Sequence, residues 1–322
     1  MIGLYAHHQG SGHLRRCRSI QEALSGPAQI LSSRPGADIT LADDAGANIR
    51  EHPELNAGET LHYAPYHHAG LRERMTTIAD WINTHRPEAF YIDVSVEVAV
   101  FVRLMGVPVI TLAMPGMRDD IPHQLGYAQA EAILAAWPDW VTTPPHLAPH
   151  AEALHPVGGI SRLRPETGID RDPHRVVVLA GAGGNDWDAA TWEAVQRACP
   201  DYTFEFLGAT NFVEDPTPHL QTAGVVVAAA GQNSIADLAV TNTPAIIIPQ
   251  HRPFDEQHAT AQVLDEEGLA VVVDTFPAPE SWPALIQRAQ QRPIRWERWQ
   301  CEGAARRAAR VIEEVGQRCA RQ

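Results

Sequence analysis

Not one lysine occurs among the 322 residues, so all 25 basic side chains are arginine. A chain without side-chain amines has no Walker-A phosphate loop, no lysine Schiff base and no pyridoxal chemistry. Cysteine is nearly as scarce. Cys17, Cys199, Cys301 and Cys319 stand far apart with no C-x-x-C spacing, which excludes a disulfide framework and a thiolate zinc site and leaves reduced, structural thiols. Positive charge is short: 39 acidic against 25 basic residues give a formal net charge of -14. No nucleic acid partner is therefore expected, because neutralising a phosphate backbone takes a basic surface. No apolar run approaches the roughly 20 residues of a membrane span. Met1-Ile2-Gly3-Leu4-Tyr5 has no charged stretch ahead of an apolar one and does not read as a signal peptide. The expectation is a cytoplasmic protein.

What is present is ordinary globular composition, 44% hydrophobic and 20% charged, in a length that suggests about two domains. Short apolar strands alternate with longer helical patterns, the signature of parallel α/β units. In the first half, strands are read at Ile2–His7, Ala28–Ser32, Ala89–Asp93, Val107–Ala113 and Trp140–Thr143. Helices are read near His13–Leu24 and at Leu71–Asn83, Val96–Leu104 and Gln124–Ala135. From Pro144 to Pro173 the pattern dissolves into Pro, His, Gly and Arg. A second set begins at Val176–Ala180, with strands near Phe204–Leu207, Gly224–Ala229, Ala245–Pro249 and Ala270–Val273. Its helices start near Trp187 and at Ser234–Val240 and Glu256–Glu266, before a long Arg-rich helical tail, Ile294–Arg321. The expected fold is α/β: two Rossmann-like domains facing a cleft, at 1–150 and 174–295, with a linker at 151–173 and a tail at 296–322.

In open parallel sheets, ligands bind beyond the carboxyl ends of the strands. Three loops have suitable residues there. Gly10-Ser11-Gly12-His13 follows the first strand; its glycines let backbone approach a ligand and the helix start favours negative charge. A tight strand-to-helix turn is the plain alternative. Gly181-Ala182-Gly183-Gly184 is placed alike in the second half, without completing a dinucleotide fingerprint. Ala230-Gly231-Gln232-Asn233-Ser234 opens a helix carrying Asp237, where amides would hold a diphosphate and the carboxylate a ribose diol; an ordinary capped helix is the alternative. Asp170-Arg171-Asp172 and Asp186-Trp187-Asp188 spell a metal-dependent D-x-D motif. One lies in the Pro-rich stretch and the other starts a helix, so neither is read as a metal site. His7-His8 and His67-His68 lack i, i+4 ligand geometry and read as surface or cleft residues. No metal site is expected.

The stretch Gly224–Gln262, GVVVAAAGQNSIADLAVTNTPAIIIPQHRPFDEQHATAQ, resembles the donor-binding signature of family 28 glycosyltransferases, the MurG-like peptidoglycan N-acetylglucosaminyltransferases. The resemblance implies the GT-B fold, with a C-terminal helix crossing back to the N-terminal domain. By position it implies that Gly231, Gln232, Asn233 and Ser234 hold the donor diphosphate, that Asp237 binds ribose, and that Asp255, Glu256 and Gln257 meet the sugar. Phe212 and Val213 would lie beside the base, with Gly183 and Gly184 near the phosphates. Gly10, Ser11 and Gly12 match the family's acceptor-side loop, with His13 as general base. Ala229, His258 and Ala261 depart from the family pattern, which points to a different sugar or acceptor. A second resemblance competes: Gly10-Ser11-Gly12-His13-Leu14-Arg15-Arg16-Cys17 is similar to the G-x-G-H-x-x-R-C start of the UDP-sugar hydrolase of pseudaminic acid synthesis, which shares the fold.

These resemblances imply an inverting, metal-independent glycosyltransferase that uses a nucleotide-sugar donor, UDP-linked, and needs no further cofactor. The acceptor is a lipid-linked or small molecule, with Arg118, Asp119 and His123 as its candidate residues after the strand Val107–Ala113. The alternatives are a hydrolase using water and a non-catalytic nucleotide-sugar-binding subunit. Arg295, Trp296, Arg298 and Trp299 suggest a peripheral membrane contact; packing of the tail explains the tryptophans equally well.

Overall fold

The computed structural model describes residues 1–8, 10, 12–45, 54–180, 187–208 and 211–320. The chain divides into two compact units, Met1–Ala113 with Arg118–Val157 and Gly303–Gln322, and Met114–Met117 with Gly158–Glu302.

In the first unit the strands are β1 (Ile2–Ala6), β2 (Ala28–Ser32), β3 (Ile39–Thr40), β4 (Ala89–Asp93), β5 (Val109–Ala113), β6 (Ala132–Ala135) and β7 (Leu154–Pro156). They form one parallel sheet in the order β3-β2-β1-β4-β5-β6-β7. Helices α1 (Gly12–Ala23), α2 (Ala69–His85), α3 (Val96–Leu104) and α4 (Ile121–Ala128) connect them. Every residue of β1 and β4 is buried, as in sheets covered on both faces, whose strands are unbroken apolar runs. Tyr5, Ile78, Trp81, Phe90 and Val102 build the core on one side. β1 leads through α1 to β2, whereas β4 leads through α3 to β5 on the other side. The strand order therefore reverses between β1 and β4, where the loops splay apart and leave room for a ligand.

The second unit repeats the plan. β8 (Asp172–Leu179), β9 (Thr203–Leu207), β10 (Ala223–Ala228), β11 (Ala245–Ile247) and β12 (Val271–Val272) pair in parallel in the order β12-β11-β10-β8-β9. Around them lie α5 (Ala189–Ala198), α6 (Thr217–Thr222), α7 (Gln232–Val240), α8 (Glu256–Glu266) and α9 (Trp282–Gln291). The order reverses between β8 and β10, so the N-terminus of α7 stands at this unit's own switch point. Val178, Trp192, Val227, Ile246 and Trp282 form the core.

The last helix, α10 (Ala304–Cys319), belongs to the first unit and packs on α1, β4 and β6. Ala304, Ala308, Ile312 and Val315 are its buried stripe. Gly316 lets it come close: a Cβ there would stand 3.3 Å from the Cβ of Glu88. Ser25 fastens the same half of the helix, donating to Glu313 from both its amide and its hydroxyl at 2.6 Å.

Three segments differ from the sequence reading. The helix expected over Gln124–Ala135 is α4 followed by a strand, because Asp120 caps α4 early and Ala132-Ile133-Leu134-Ala135 is a short buried run that periodicity does not distinguish from helix. Trp140–Thr143 is not a strand. Leu154–Pro156, expected within the linker, is instead the edge strand β7, the place in a sheet where a proline is tolerated. In the tail, Trp296–Trp299 is a separate 3-10 turn, and α10 starts only after Gly303.

Arg171, the middle of the first D-x-D spelling, is a structural staple. Its guanidinium donates to the carbonyls of Gln221 (2.9 Å), Thr241 (2.8 Å) and Asn242 (2.9 Å), tying the ends of α6 and α7 to the start of β8. Arg171→Met should lower the stability of the second unit by about 2–3 kcal/mol, since several carbonyls lose a charged donor together. Arg171→Lys should recover only part, because one ammonium does not span the fork. Urea midpoints of the variants check both.

Candidate active site

Asp93 ends β4 at the first switch point and is fully buried. A lone carboxylate there would cost several kcal/mol, roughly, unless paired and hydrogen-bonded. It is both. Arg16 of α1 donates from Nε to Oδ2 (2.7 Å) and from Nη2 to Oδ1 (3.0 Å). The Tyr91 hydroxyl, two residues back on the same strand face, donates to Oδ2 at 3.1 Å. His13 Nδ1 completes the set, 2.7 Å from Oδ1. Burial pushes the Asp93 carboxyl up, but Arg16 and His13 outweigh it and hold the group well below the usual carboxylate range. Burial also works against the Arg16 charge, and Asp93 more than restores it. Burial drives the Tyr91 hydroxyl and the Cys17 thiol well up, so both stay protonated.

An ionised Asp93 accepts from Nδ1, so the imidazole proton sits there and Nε2 is left with a lone pair. Arg16 Nη2 lies 3.3 Å from the same Nδ1; with the proton on Nδ1 it is a neighbour, not a donor to the ring. A carboxylate-oriented imidazole at the carboxyl edge of a parallel sheet is a general base in geometry.

His13 and Arg16 are one turn apart on α1 and reach the same carboxylate. Sequence reading missed Asp93, although a charged residue closing a central apolar strand was the available signal. Gly10 (φ 77) and Gly12, the first residue of α1, flank this point; Ser11 lies outside the described residues. The His7 ring stacks on His8 at 4.5 Å and meets His13 edge-on at 5.9 Å. His68 caps α2, its Nδ1 accepting from the Leu71 amide at 3.0 Å.

A second polar group gathers at the start of α4. Asp120 caps the helix through the His123 amide (3.1 Å) and accepts from His123 Nδ1 (2.6 Å) and His62 Nε2 (3.0 Å). Arg118 is buried, with Nη1 3.3 Å from His123 Nε2. Burial overrides Asp120 and pushes the His123 imidazole down to about 4. Arg118 and His123 thus come together, while Asp119 is exposed. His62, far off in sequence, joins a group that no local motif announces.

In the second unit, Gly231 caps α7 without a side-chain bond, and the amides of Gln232, Asn233 and Ser234 form the helix's first turn. A Cβ at Gly231 would meet nothing within 4 Å. Asp237 accepts from the Ser161 hydroxyl at 2.5 Å. Gln257 is buried, and its Oε1 accepts from the Gln250 amide at 2.8 Å, bracing the turn after β11. Asp255, exposed, stands 2.8 Å from His258 Nδ1, and Phe254 and Asp255 both take left-handed backbone just before Glu256 opens α8. Phe212 is 67% exposed and Val213 half-buried; Gly183 and Gly184 lie outside the described residues. Asp188 of the second D-x-D spelling caps α5 through the Thr191 amide. Trp296 and Trp299 are buried, Trp296 donating to the Thr243 carbonyl at 2.8 Å. They pack inside the unit and offer nothing to a membrane. No helix of the described residues is long and apolar enough to cross one.

Residues 176–312 match the family model for the Glycosyltransferase family 28 C-terminal domain. A UDP-N-acetylglucosamine--N-acetylmuramyl-(pentapeptide) pyrophosphoryl-undecaprenol N-acetylglucosamine transferase of Nitratidesulfovibrio vulgaris (strain DP4) is 32% identical over 102 residues, 30% of this chain and 27% of that enzyme. Its counterpart in Idiomarina loihiensis (strain ATCC BAA-735 / DSM 15497 / L2-TR) is 37% identical over 68 residues, 21% of this chain and 19% of the enzyme. The matched stretch thus spans about a quarter of these relatives' length. Among solved structures, the glycotransferase of kitacinnamycin superposes with a TM-score of 0.68 at 16% identity, covering 98% of both chains. Acinetobacter baumannii MurG gives 0.63 at 14% identity, covering 97% of this chain and 99% of its own. The chain has the GT-B fold, and its residues 176–312 are similar to the family 28 C-terminal domain.

Burial pushes the His7 imidazole down from 6.5 to about 3, helped by His8 and His13. The unfolded chain therefore takes up a proton between those values that the folded chain refuses. The contribution of His7 to stability is whole above about 6.5 and drains away as pH falls toward about 3. Urea midpoints at neutral and mildly acid pH should show a smaller acid loss in His7→Asn than in the wild type.

Proposed function

We propose that the protein is an inverting glycosyltransferase, with the second unit binding a UDP-linked sugar and the first activating a hydroxyl acceptor. The observation that carries this is the His13–Asp93 pair. The acceptor hydroxyl gives its proton to His13 Nε2 as its oxygen attacks the anomeric carbon, and the bond to the diphosphate breaks on the opposite face. Asp93 holds the ring and stabilises the imidazolium that forms. The charge growing on the leaving diphosphate is met by the amides of Gln232–Ser234 and the helix dipole, with no divalent ion required. Asp237, held by Ser161, takes the ribose diol. Arg118 and His123 face the acceptor. The sequence relatives are named for a pyrophosphoryl-undecaprenol acceptor, and Arg118 suits an anionic acceptor of that kind; the departures at Ala229, His258 and Ala261 favour a different molecule.

Hydrolysis is the second reading. His13, Arg16 and Cys17 of the G-x-G-H-x-x-R-C motif all cluster on Asp93, so the dyad is equally able to activate water. Incubation of UDP-sugars without acceptor separates the two, since stoichiometric sugar release would favour the hydrolase.

His13→Ala and Asp93→Asn should each lower kcat by about 10²–10⁴-fold while leaving the UDP-sugar thermal shift in place. Wild-type turnover in His13→Ala would remove the base from the scheme. Gly231→Val should fold normally, as a Cβ there meets nothing within 4 Å among the described residues, yet lose the UDP-induced shift. UDP-, dTDP- and GDP-sugars compared in the same assay identify the donor.

A further inference from the structure

Away from the dyad, three groups converge on the turn that follows β1: His8, Asp43 and Asp44. One ligand atom from each lies within 4.8 Å of the others. Asp44 is only 7% exposed, yet its Oδ1 has no hydrogen-bond partner among the described residues, and neither has His8 Nδ1. The two atoms face each other at 3.4 Å without hydrogen-bond alignment. Two buried polar atoms that face each other without a hydrogen bond are costly unless something joins them. Ligand atoms about 2.1 Å from a tetrahedral ion stand about 3.4 Å apart.

The surroundings are built for the purpose. Arg74, itself buried, forms an ion pair with the other Asp44 oxygen, Oδ2, at 2.6 Å, which leaves Oδ1 toward His8. Its Nε and Nη2 also hold the Ala42 carbonyl at 3.1 and 2.9 Å. The Tyr63 hydroxyl holds the Asp44 carbonyl at 2.5 Å, and the Ala45 amide donates to Asp43 Oδ1 at 3.0 Å. Outer partners that fix a ligand's free oxygen are what metal sites use for orientation. By contrast, the His62–Asp120–His123 group is closed by its own hydrogen bonds, one of them 2.6 Å, too short for two atoms sharing an ion.

We infer that His8, Asp43 and Asp44 bind a divalent transition ion of the zinc class, one imidazole and two carboxylates leaving a fourth position to water. The inference does not rest on the glycosyl-transfer reading. Its role follows from position: the ion ties the turn after β1 to the segment after β3, and His8 passes that order through the stacked His7 to His13.

Zinc alone is the probe. The full chain, stripped with chelator and titrated with Zn²⁺ by calorimetry, should bind one ion per chain and gain thermal stability. Asp43→Asn, an exposed change that keeps the Ala45 acceptor, should weaken binding at least tenfold. His8→Ala should abolish it. His62→Gln should leave it unchanged. A wild-type chain that binds no zinc would leave His8 and Asp44 as a loose ion pair and end the proposal. Loss of binding in His62→Gln, with Asp43→Asn and His8→Ala unaffected, would move the ion to the other cluster and end it as well.

Discussion

Everything in the first unit leans on the buried carboxylate of Asp93. Left alone, an anion at full burial would disrupt the switch point; bound by Arg16, Tyr91 and His13, it fixes the register of α1 against β4, across the strand between them. Structure and chemistry share one group here. Arg16 supplies the countercharge through two parallel bonds, so what remains for the imidazole is orientation. Truncation and an amide at 93 both leave Arg16 as a buried cation without its countercharge, but the amide keeps the shape of the side chain and so disturbs the packing least. This is why the isosteric change is the informative one.

In the second unit the proposed diphosphate site is made of backbone. The chain has no lysine, so a diphosphate must be met by amides, arginines or an ion. At the switch point of this sheet the structure offers a glycine-capped helix start with open space at the capping residue. Side chains expected on the ligand are already engaged. Asp237 accepts from Ser161, and Gln257 holds the Gln250 amide. These contacts pre-orient: a carboxylate already held in place gives up little freedom when a diol arrives.

Much of the fold was legible because strands buried on both faces are unbroken apolar runs. Ala89–Asp93 and Gly224–Ala229 stand out without any knowledge of their partners. Legibility failed where a short apolar run had two readings, as at Ala132–Ala135, and where a strand was hidden in a proline-rich stretch, as at Leu154–Pro156. The glycine-capped start of α7 and His13 were both legible as local motifs, but the partner of His13 was not, since Asp93 is 80 residues away and only the sheet order makes them neighbours. For the tryptophans of the tail two readings stood open, and burial selects packing: an amphipathic-looking cluster says which residues are apolar, not which surface they cover.

Transfer and hydrolysis differ only in what stands before His13 Nε2. The dyad does not choose between a sugar-acceptor hydroxyl and water, as both are weak acids presented to the same lone pair. Selection therefore falls on groups that hold an acceptor in place and keep water from competing. Arg118, His123, Asp120 and His62 are the polar set in the first unit suited to that task, and they form one hydrogen-bonded chain in which no member is independent. An anionic acceptor binding Arg118 would draw the guanidinium from His123 Nε2, and the rearrangement would pass to Asp120, the cap of α4. On the proposed reading, acceptor recognition would be coupled to the start of a helix, whereas the proposed base is locked into the sheet. The reaction's fate is set by the more adjustable of the two.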